Sequence, residues 1–423
     1  MGARYSITGL TADQVRSIGG TDIREARSAG IVFATLTEAQ VARIKALGGQ
    51  VTEVGKVSAP VMPIVTPPKL IAAVPTYTPE QLTWVAGLED LRQRLFKPPL
   101  YGEGFNLAIV DSGIRETHEK VKGRVGYRQN FTADPMMDGY GHGTGVASIA
   151  VAVAPLCNIL NIKVLDSRGQ GSEEDVVMGI DHVISLLDTS PELAPHVINL
   201  SLGNPDDGNA NNPLRVACRA AIAKGIWVSA AAGNSGPDPD TMMSPACEKY
   251  VFATGSARYE PAGRSFSLST WSSRGPTREG LIKPDAVFFG EDIMVASSGS
   301  DTATIAKSGT SFSTPFNSGI AILYHEGVLR YHGIQYPSGV PPGLHPEMTW
   351  LITIEELVDK YLQGICVKPQ GAPVGKDDNY GYGMPFGSLV EQAIGVTPGI
   401  DLSAVLSAFV GVAMIGMVVR EMR

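Results

Sequence analysis

The sequence predicts an α/β fold: a doubly wound, mostly parallel sheet, preceded by a small α+β domain and followed by a C-terminal hydrophobic helix. Three observations predict it. Apolar runs at residues 107–110, 159–165, 196–202, 226–232 and 250–255 have strand length and lack the strict alternation of a half-solvated sheet. Between the second and third runs, Val176, Val177, Ile180, Val183, Ile184 and Leu187 mark one face of a helix, and strands alternating with amphipathic helices imply parallel pairing. The chain of 423 residues, 43% hydrophobic and 18% charged, is long enough for a large core with appendages.

Residues 1–55 make the first domain. Runs at 5–10, 31–36 and 51–54 read as short strands. Thr11-Ala12-Asp13-Gln14 and Thr37-Glu38-Ala39-Gln40 each put Thr three residues ahead of Gln, the spacing of a capping box, and so start two helices. Val41, Ile44 and Leu47 then recur at helical spacing. Residues 56–79 change to Pro, Val, Ala and Thr. Pro60, Pro63, Pro67, Pro68, Pro75 and Pro79 remove backbone donors there, which predicts an extended linker open to proteolysis. The main domain covers 80–395. Reactive residues of such sheets gather at the carboxyl ends of strands, and Asp111 stands at one such end.

Residues 396–423 hold the candidate anchor. The run 402–419 carries no charge and as a helix would be about 27 Å long, near the thickness of a bilayer's hydrocarbon core. It predicts a membrane-associated, single-pass chain; a buried helix or an oligomer contact is the alternative. Arg420 and Arg423 behind it favour an external main domain, whereas residues 1–30 contain no apolar signal-peptide core, which favours an internal one. Residues 1–6 also fit the N-myristoylation pattern, which is short enough to recur by chance.

A net charge of -8 argues against nucleic acid as a partner. Cys157, Cys218, Cys247 and Cys366 stand far apart without CxxC spacing, which excludes a zinc ribbon and a dense disulfide framework. They read as buried thiols, with a disulfide as the alternative.

Three segments carry the chemistry: Asp111-Ser112-Gly113, Gly141-His142-Gly143-Thr144 and Gly309-Thr310-Ser311. A serine hydroxyl is a poor nucleophile at neutral pH, so an imidazole must take its proton as it attacks. That imidazole needs a carboxylate to fix its tautomer. His118, His182, His196, His325, His332 and His345 share no ligand spacing and read as structural.

Segments 107–117, 139–147, 197–203, 230–236 and 307–315 resemble those of the subtilisin-like serine protease (subtilase) family, over residues 80–395. The order Asp, His, Ser is also that family's order. Residues 4–55 are similar in pattern to its inhibitory propeptide. The resemblance implies a subtilisin-like fold and a serine endopeptidase with Ser311 as nucleophile, His142 as general acid and base, and Asp111 as orienting carboxylate. Asn234 would be the oxyanion-hole donor, and Ser311 would open a helix running through Pro315 to about residue 329. A polypeptide substrate would bind as an added strand along Ser201, Leu202 and Gly203. Ala231 and Gly233 would line the pocket for the residue before the cut, and their small size implies room for a bulky apolar group.

The resemblance also implies that the chain's own propeptide is an intramolecular inhibitor removed by self-processing within 56–79. No cofactor and no metal is required. Relatives often bind calcium, but the oxygen-rich loop 206–212 lacks EF-hand spacing and reads as solvated. The rival reading is a catalytically silent protein that keeps the fold for binding in a membrane or an assembly; the complete set Asp111, His142 and Ser311 favours the enzyme. The chain departs from the family pattern at Gly145, where a second histidine is common, and at Phe312, Ser313, Phe316 and Asn317. These positions bear on packing and specificity.

Overall fold

The computed structural model describes residues 2–59, 75–89, 98–263, 265–331 and 362–387. Strands β1 (Ala3–Thr8), β2 (Thr21–Ala26), β3 (Ile31–Leu36) and β4 (Gln50–Glu53) form an antiparallel sheet in the order β2-β3-β1-β4. Helices Ala12–Ile18 and Glu38–Ala46 complete the unit, and both begin with the expected capping boxes at Thr11 and Thr37. Its own core is Ile7, Val15, Ile18, Val32, Ala34, Leu36 and Ile44. The sequence pattern did not reveal β2, whose Thr-Asp-Ile-Arg-Glu-Ala run is a charged edge strand without an apolar face.

The main sheet is built from β6 (Asn106–Asp111), β7 (Val125–Asn130), β8 (Asn158–Lys163), β10 (Val197–Leu200), β12 (Trp227–Ala231), β14 (Phe252–Glu260), β15 (Ser265–Leu268) and β16 (Ala286–Phe289). Their order is β15-β14-β12-β10-β6-β8-β7, with β16 also on β14. All pairs are parallel except β14 with β15. Every residue of β6, β10 and β12 is buried, as expected of strands covered on both faces. β14 runs beyond the predicted residue 255 because, past Thr254, it leaves β12 and pairs with β16 and then β15. Helices His142–Val153, Glu173–Thr189, Pro213–Ala223 and Thr310–Tyr331 pack with the sheet around one continuous core. That core also takes in Ala26, Ile31 and Phe33 of the N-terminal unit.

The predicted linker begins differently. Strand β5 (Lys56–Ser58) pairs antiparallel with β9 (Gln170–Ser172). These residues precede the first proline, Pro60, so each still has a backbone N–H for a ladder. At the other end, Thr78 caps a helix, Pro79–Val85, with Pro79 in its first turn. Residues 60–74 and the candidate anchor at 396–423 lie outside the described residues. Among the described residues no helix is long and apolar enough to cross a membrane.

Candidate active site

β6, β10 and β12 are parallel neighbours, so their carboxyl ends share one edge of the sheet. β6 ends in Asp111, β10 runs on into Ser201, Leu202 and Gly203, and β12 ends in Ala231 just ahead of Gly233 and Asn234. Two helix N-termini complete the site, one opened by His142 and the other by Thr310 and Ser311.

His142 follows Gly141, which has φ 83° and sits where a left-handed residue is needed to start the helix. Gly141 has no capping side chain, and Asp138 supplies the acceptor instead. Its Oδ1 accepts from Ser112 Oγ (2.8 Å), Tyr140 N (3.2 Å) and Gly141 N (2.7 Å). Its Oδ2 accepts from Thr144 N (2.9 Å) and Thr144 Oγ1 (2.6 Å). Asp138 thereby ties the loop after Asp111 to the first turn of the histidine helix. The two approach so closely that a methyl group at Gly143 would collide with the Gly113 carbonyl oxygen.

His142 Nδ1 lies 2.8 and 3.0 Å from the two oxygens of Asp111, and both side chains are buried. A carboxylate accepts only, so Nδ1 carries the proton in the neutral ring and Nε2 the lone pair. Nε2 is buried and makes no hydrogen bond. Ser112 N donates to Asp111 Oδ1 at 2.7 Å. Beneath this loop the buried Lys163 donates to the carbonyls of Ser112 (2.5 Å) and Leu165 (2.9 Å). Burial lowers the Lys163 ammonium below its usual range, while the carboxylates of Asp138, Asp134 and Asp111 pull it back up.

On the serine side, Ser311 Oγ donates to the Ser201 carbonyl at 3.1 Å, and Ser201 Oγ donates to the Ser311 carbonyl at 2.8 Å. A buried relay supports this pair: Asn199 Nδ2 donates to Ser201 Oγ (2.9 Å), and Ser318 Oγ to Asn199 Oδ1 (2.9 Å). Asn234 Oδ1 accepts from Thr310 N and Thr310 Oγ1, both at 2.9 Å. Both partners are donors, which fixes that atom as oxygen and sets the amide NH2 on the other branch. The ring of Phe312, next to Ser311, packs 5.2 Å from the His142 ring.

Asp111, His142, Ser311, Asn234, Ser201, Leu202, Gly203, Ala231 and Gly233 therefore meet at one edge. Asp138, Lys163 and Asn199 also belong there, as does Met243, whose N donates to the Ala232 carbonyl at 2.9 Å, and none was anticipated. Asn199 left a trace, as a polar residue inside an apolar run, and Asp138 as an acid four residues ahead of His142. Met243 left none, because its partners are distant in sequence.

Residues 56–59 lie along this edge. Ser58 and Gly203 exchange backbone hydrogen bonds at 3.2 Å each way, and Ala59 N donates to the Gly169 carbonyl at 3.3 Å. Val57 and Ala59 face inward, 1% and 8% exposed. The N-terminal unit is held by the acidic first turn of helix Glu173–Thr189. Arg4 forks onto Glu174 at 2.6 and 2.7 Å, and Arg24 reaches Glu174 (3.0 Å) and Asp175 (3.1 Å). Gly55 and Glu173 join the two parts through backbone and side chain.

The four cysteines are free thiols. Burial pushes the Cys157 thiol up to about 12, far from the reactive range. In the loop 206–212, Asp206 is buried and accepts from Gly208 N and Arg278 N, while Asn212 caps helix Pro213–Ala223. Among the described residues no cluster of His, Cys, Asp or Glu has metal-holding geometry.

The model of the subtilase family matches residues 102–333. The chain is 32% identical over 255 residues to serine protease AprX of Bacillus subtilis (strain 168), covering 53% of this chain and 57% of that protein. It is 32% identical over 230 residues to proteinase T of Parengyodontium album, covering 53% of this chain and 72% of the other. Among solved structures it superposes on fervidolysin from Fervidobacterium pennivorans, a keratinolytic enzyme related to subtilisin. That match has TM-score 0.66 and 20% identity and covers 93% of this chain and 61% of the other, a likeness of fold.

Proposed function

The chain belongs to the subtilase family of serine proteases, and from that premise we propose that it is an endopeptidase working through Ser311, His142 and Asp111. The observation that carries this reading is His142 itself, with Nδ1 held by Asp111 and a buried Nε2 left without a partner. In this reading Ser311 Oγ leaves the Ser201 carbonyl for Nε2 when substrate is in place. As Oγ attacks the peptide carbonyl carbon, its proton passes to Nε2, and Asp111 stabilises the imidazolium. The carbonyl oxygen becomes an oxyanion facing the Asn234 NH2, a contact worth about 3 kcal/mol or more. His142 then returns the proton to the leaving amine, and water repeats the sequence on the acyl-enzyme.

The same reading makes residues 1–59 an inhibitory propeptide. Strand β5 takes the edge that a substrate strand needs, and Ser58 occupies both hydrogen-bonding groups of Gly203. Self-processing then falls within the predicted linker, residues 56–79, past the docked strand that ends at Ser58. The uncharged run 402–419 supports a membrane tether, tested by detergent partition against a chain ended after Gly395. For the enzyme, the test is to express the full chain beside Ser311→Ala and follow intact mass and hydrolysis of an unfolded polypeptide. The wild type should shorten and hydrolyse, and the variant should do neither. Equal lengths with no hydrolysis would overturn the reading.

A further inference from the structure

Gly203 ends the edge assigned to the substrate strand, Gly233 lies in the segment assigned to the pocket for the residue before the cut, and both face one side chain. A methyl group at Gly203 would lie 3.2 Å from Met243 Cε. One at Gly233 would lie 2.7 Å from Met243 Cγ and 2.9 Å from its Sδ. Met243 thus runs from the face of Gly233, near its Cγ and Sδ, to that of Gly203, near its Cε.

Its backbone is fixed from both sides. Met243 N donates to the Ala232 carbonyl at 2.9 Å. Strand β13 (Met243–Ser244) pairs with β11 (Asn204–Pro205), directly after Gly203. Gly203 also packs so tightly on the Ser244 carbonyl that no side chain fits between them. The neighbours Met242 and Ser244 are buried, whereas Met243 is half-buried. The walls cannot retreat, so a large side chain enters only by displacing the thioether.

We propose that Met243 is a specificity-determining residue, closing this pocket so that the enzyme cuts polypeptides after small side chains. The inference rests on the protease reading above and narrows its substrate class. It reverses the expectation of a roomy apolar pocket, because that expectation counted the walls and not the residue between them. Methionine is unbranched and fills irregular gaps well, which suits it to this place.

The test uses the full chain and peptides that differ only in the residue before the cut, Ala, Val, Leu or Phe, with kcat/KM measured for each. The wild type should favour Ala over Phe by at least about tenfold, and Met243→Ala should raise kcat/KM for Phe by about 10–200-fold. Met243→Leu keeps the volume and should keep the wild-type order. Met243→Val should fall between them, which preserves the test if the Ala variant unfolds. A wild type that prefers Phe or Leu would overturn the proposal, as would an unchanged ratio in an active Met243→Ala or Met243→Val. If the wild type cuts no peptide and fails to label with a fluorophosphonate, the protease reading fails and this proposal with it.

Discussion

A methyl group at Gly145 would lie 3.2 Å from the ring of Phe312 and 3.0 Å from Val295 Cγ2. The two positions at which the chain departs most visibly from the family pattern are therefore one packing decision. The ring beside Ser311 takes the space that a side chain three residues after His142 would use, and it rests on the imidazole. Gly145→Leu should cost about 1–3 kcal/mol by overpacking, and Phe312→Ala in the same chain should return part of that loss. Denaturant midpoints of the two single variants and the double variant read the coupling; strictly additive losses would separate the two positions.

Asp138 should behave as a positioning residue for His142. It accepts five hydrogen bonds, one of them from Ser112 Oγ, which itself accepts from Gly143 N at 3.0 Å. Asp138→Asn puts an NH2 against donors, and each group left unpaired costs about 1–3 kcal/mol. We expect kcat to fall about tenfold or more with KM little changed, since 1.4 kcal/mol of barrier is about tenfold in rate. A rise in KM at constant kcat would assign Asp138 to substrate binding instead.

A buried ion cluster fastens the C-terminal described segment to the sheet. Asp285 meets Lys283 at 2.6 Å and Lys376 at 2.7 Å, and it accepts from Ala253 N. Burial pushes the Asp285 carboxyl up, but Lys283 and Lys376 together outweigh that and hold it below the usual range. A carboxyl depressed in the folded state stabilises above its unfolded pKa, about 3.9, and loses that contribution as pH falls through the folded value. Asp285→Asn should cost about 3–5 kcal/mol near neutral pH by stranding two lysines. The gap between variant and wild type should narrow in acid; a gap independent of pH would contradict this assignment.

Docking of the N-terminal unit should depend on Glu174. Its carboxylate takes Arg4 in a fork and Arg24 beside it, while Ser28 N donates to Asp181 at 2.6 Å. Glu174→Lys replaces the acceptor with a like charge and should weaken docking by about 2–5 kcal/mol, more visibly at low salt. Hydrogen exchange across residues 3–53 and accelerated release of activity would report it. Unchanged exchange would place the docking energy in the remaining contacts, among them Ala26, Ile31 and Phe33 and the Ser28–Asp181 bond.

The sequence made legible whatever is local along the chain. Asp111, His142 and Ser311 each sit in a short glycine-flanked segment at a strand or helix end, and the capping boxes at Thr11 and Thr37 are three-residue patterns. What it hid is what the fold assembles from afar. Asp138 bonds to residues on two elements, and Met243 meets Gly203 and Gly233 only after three loops have closed. Strand β5 was hidden differently: the proline-rich stretch that follows it masked three residues that still had donors. β2 was missed because its charges conceal an edge strand.

Activation of Ser311 by His142 held on Asp111 is read out by labelling with a fluorophosphonate. The chain freed of residues 1–59 should label once per molecule. Mass analysis should place the adduct on Ser311, and His142→Ala and Ser311→Ala should not react. Absence of labelling in the freed wild type, or an adduct on any other residue, would rule out Ser311 as the activated nucleophile.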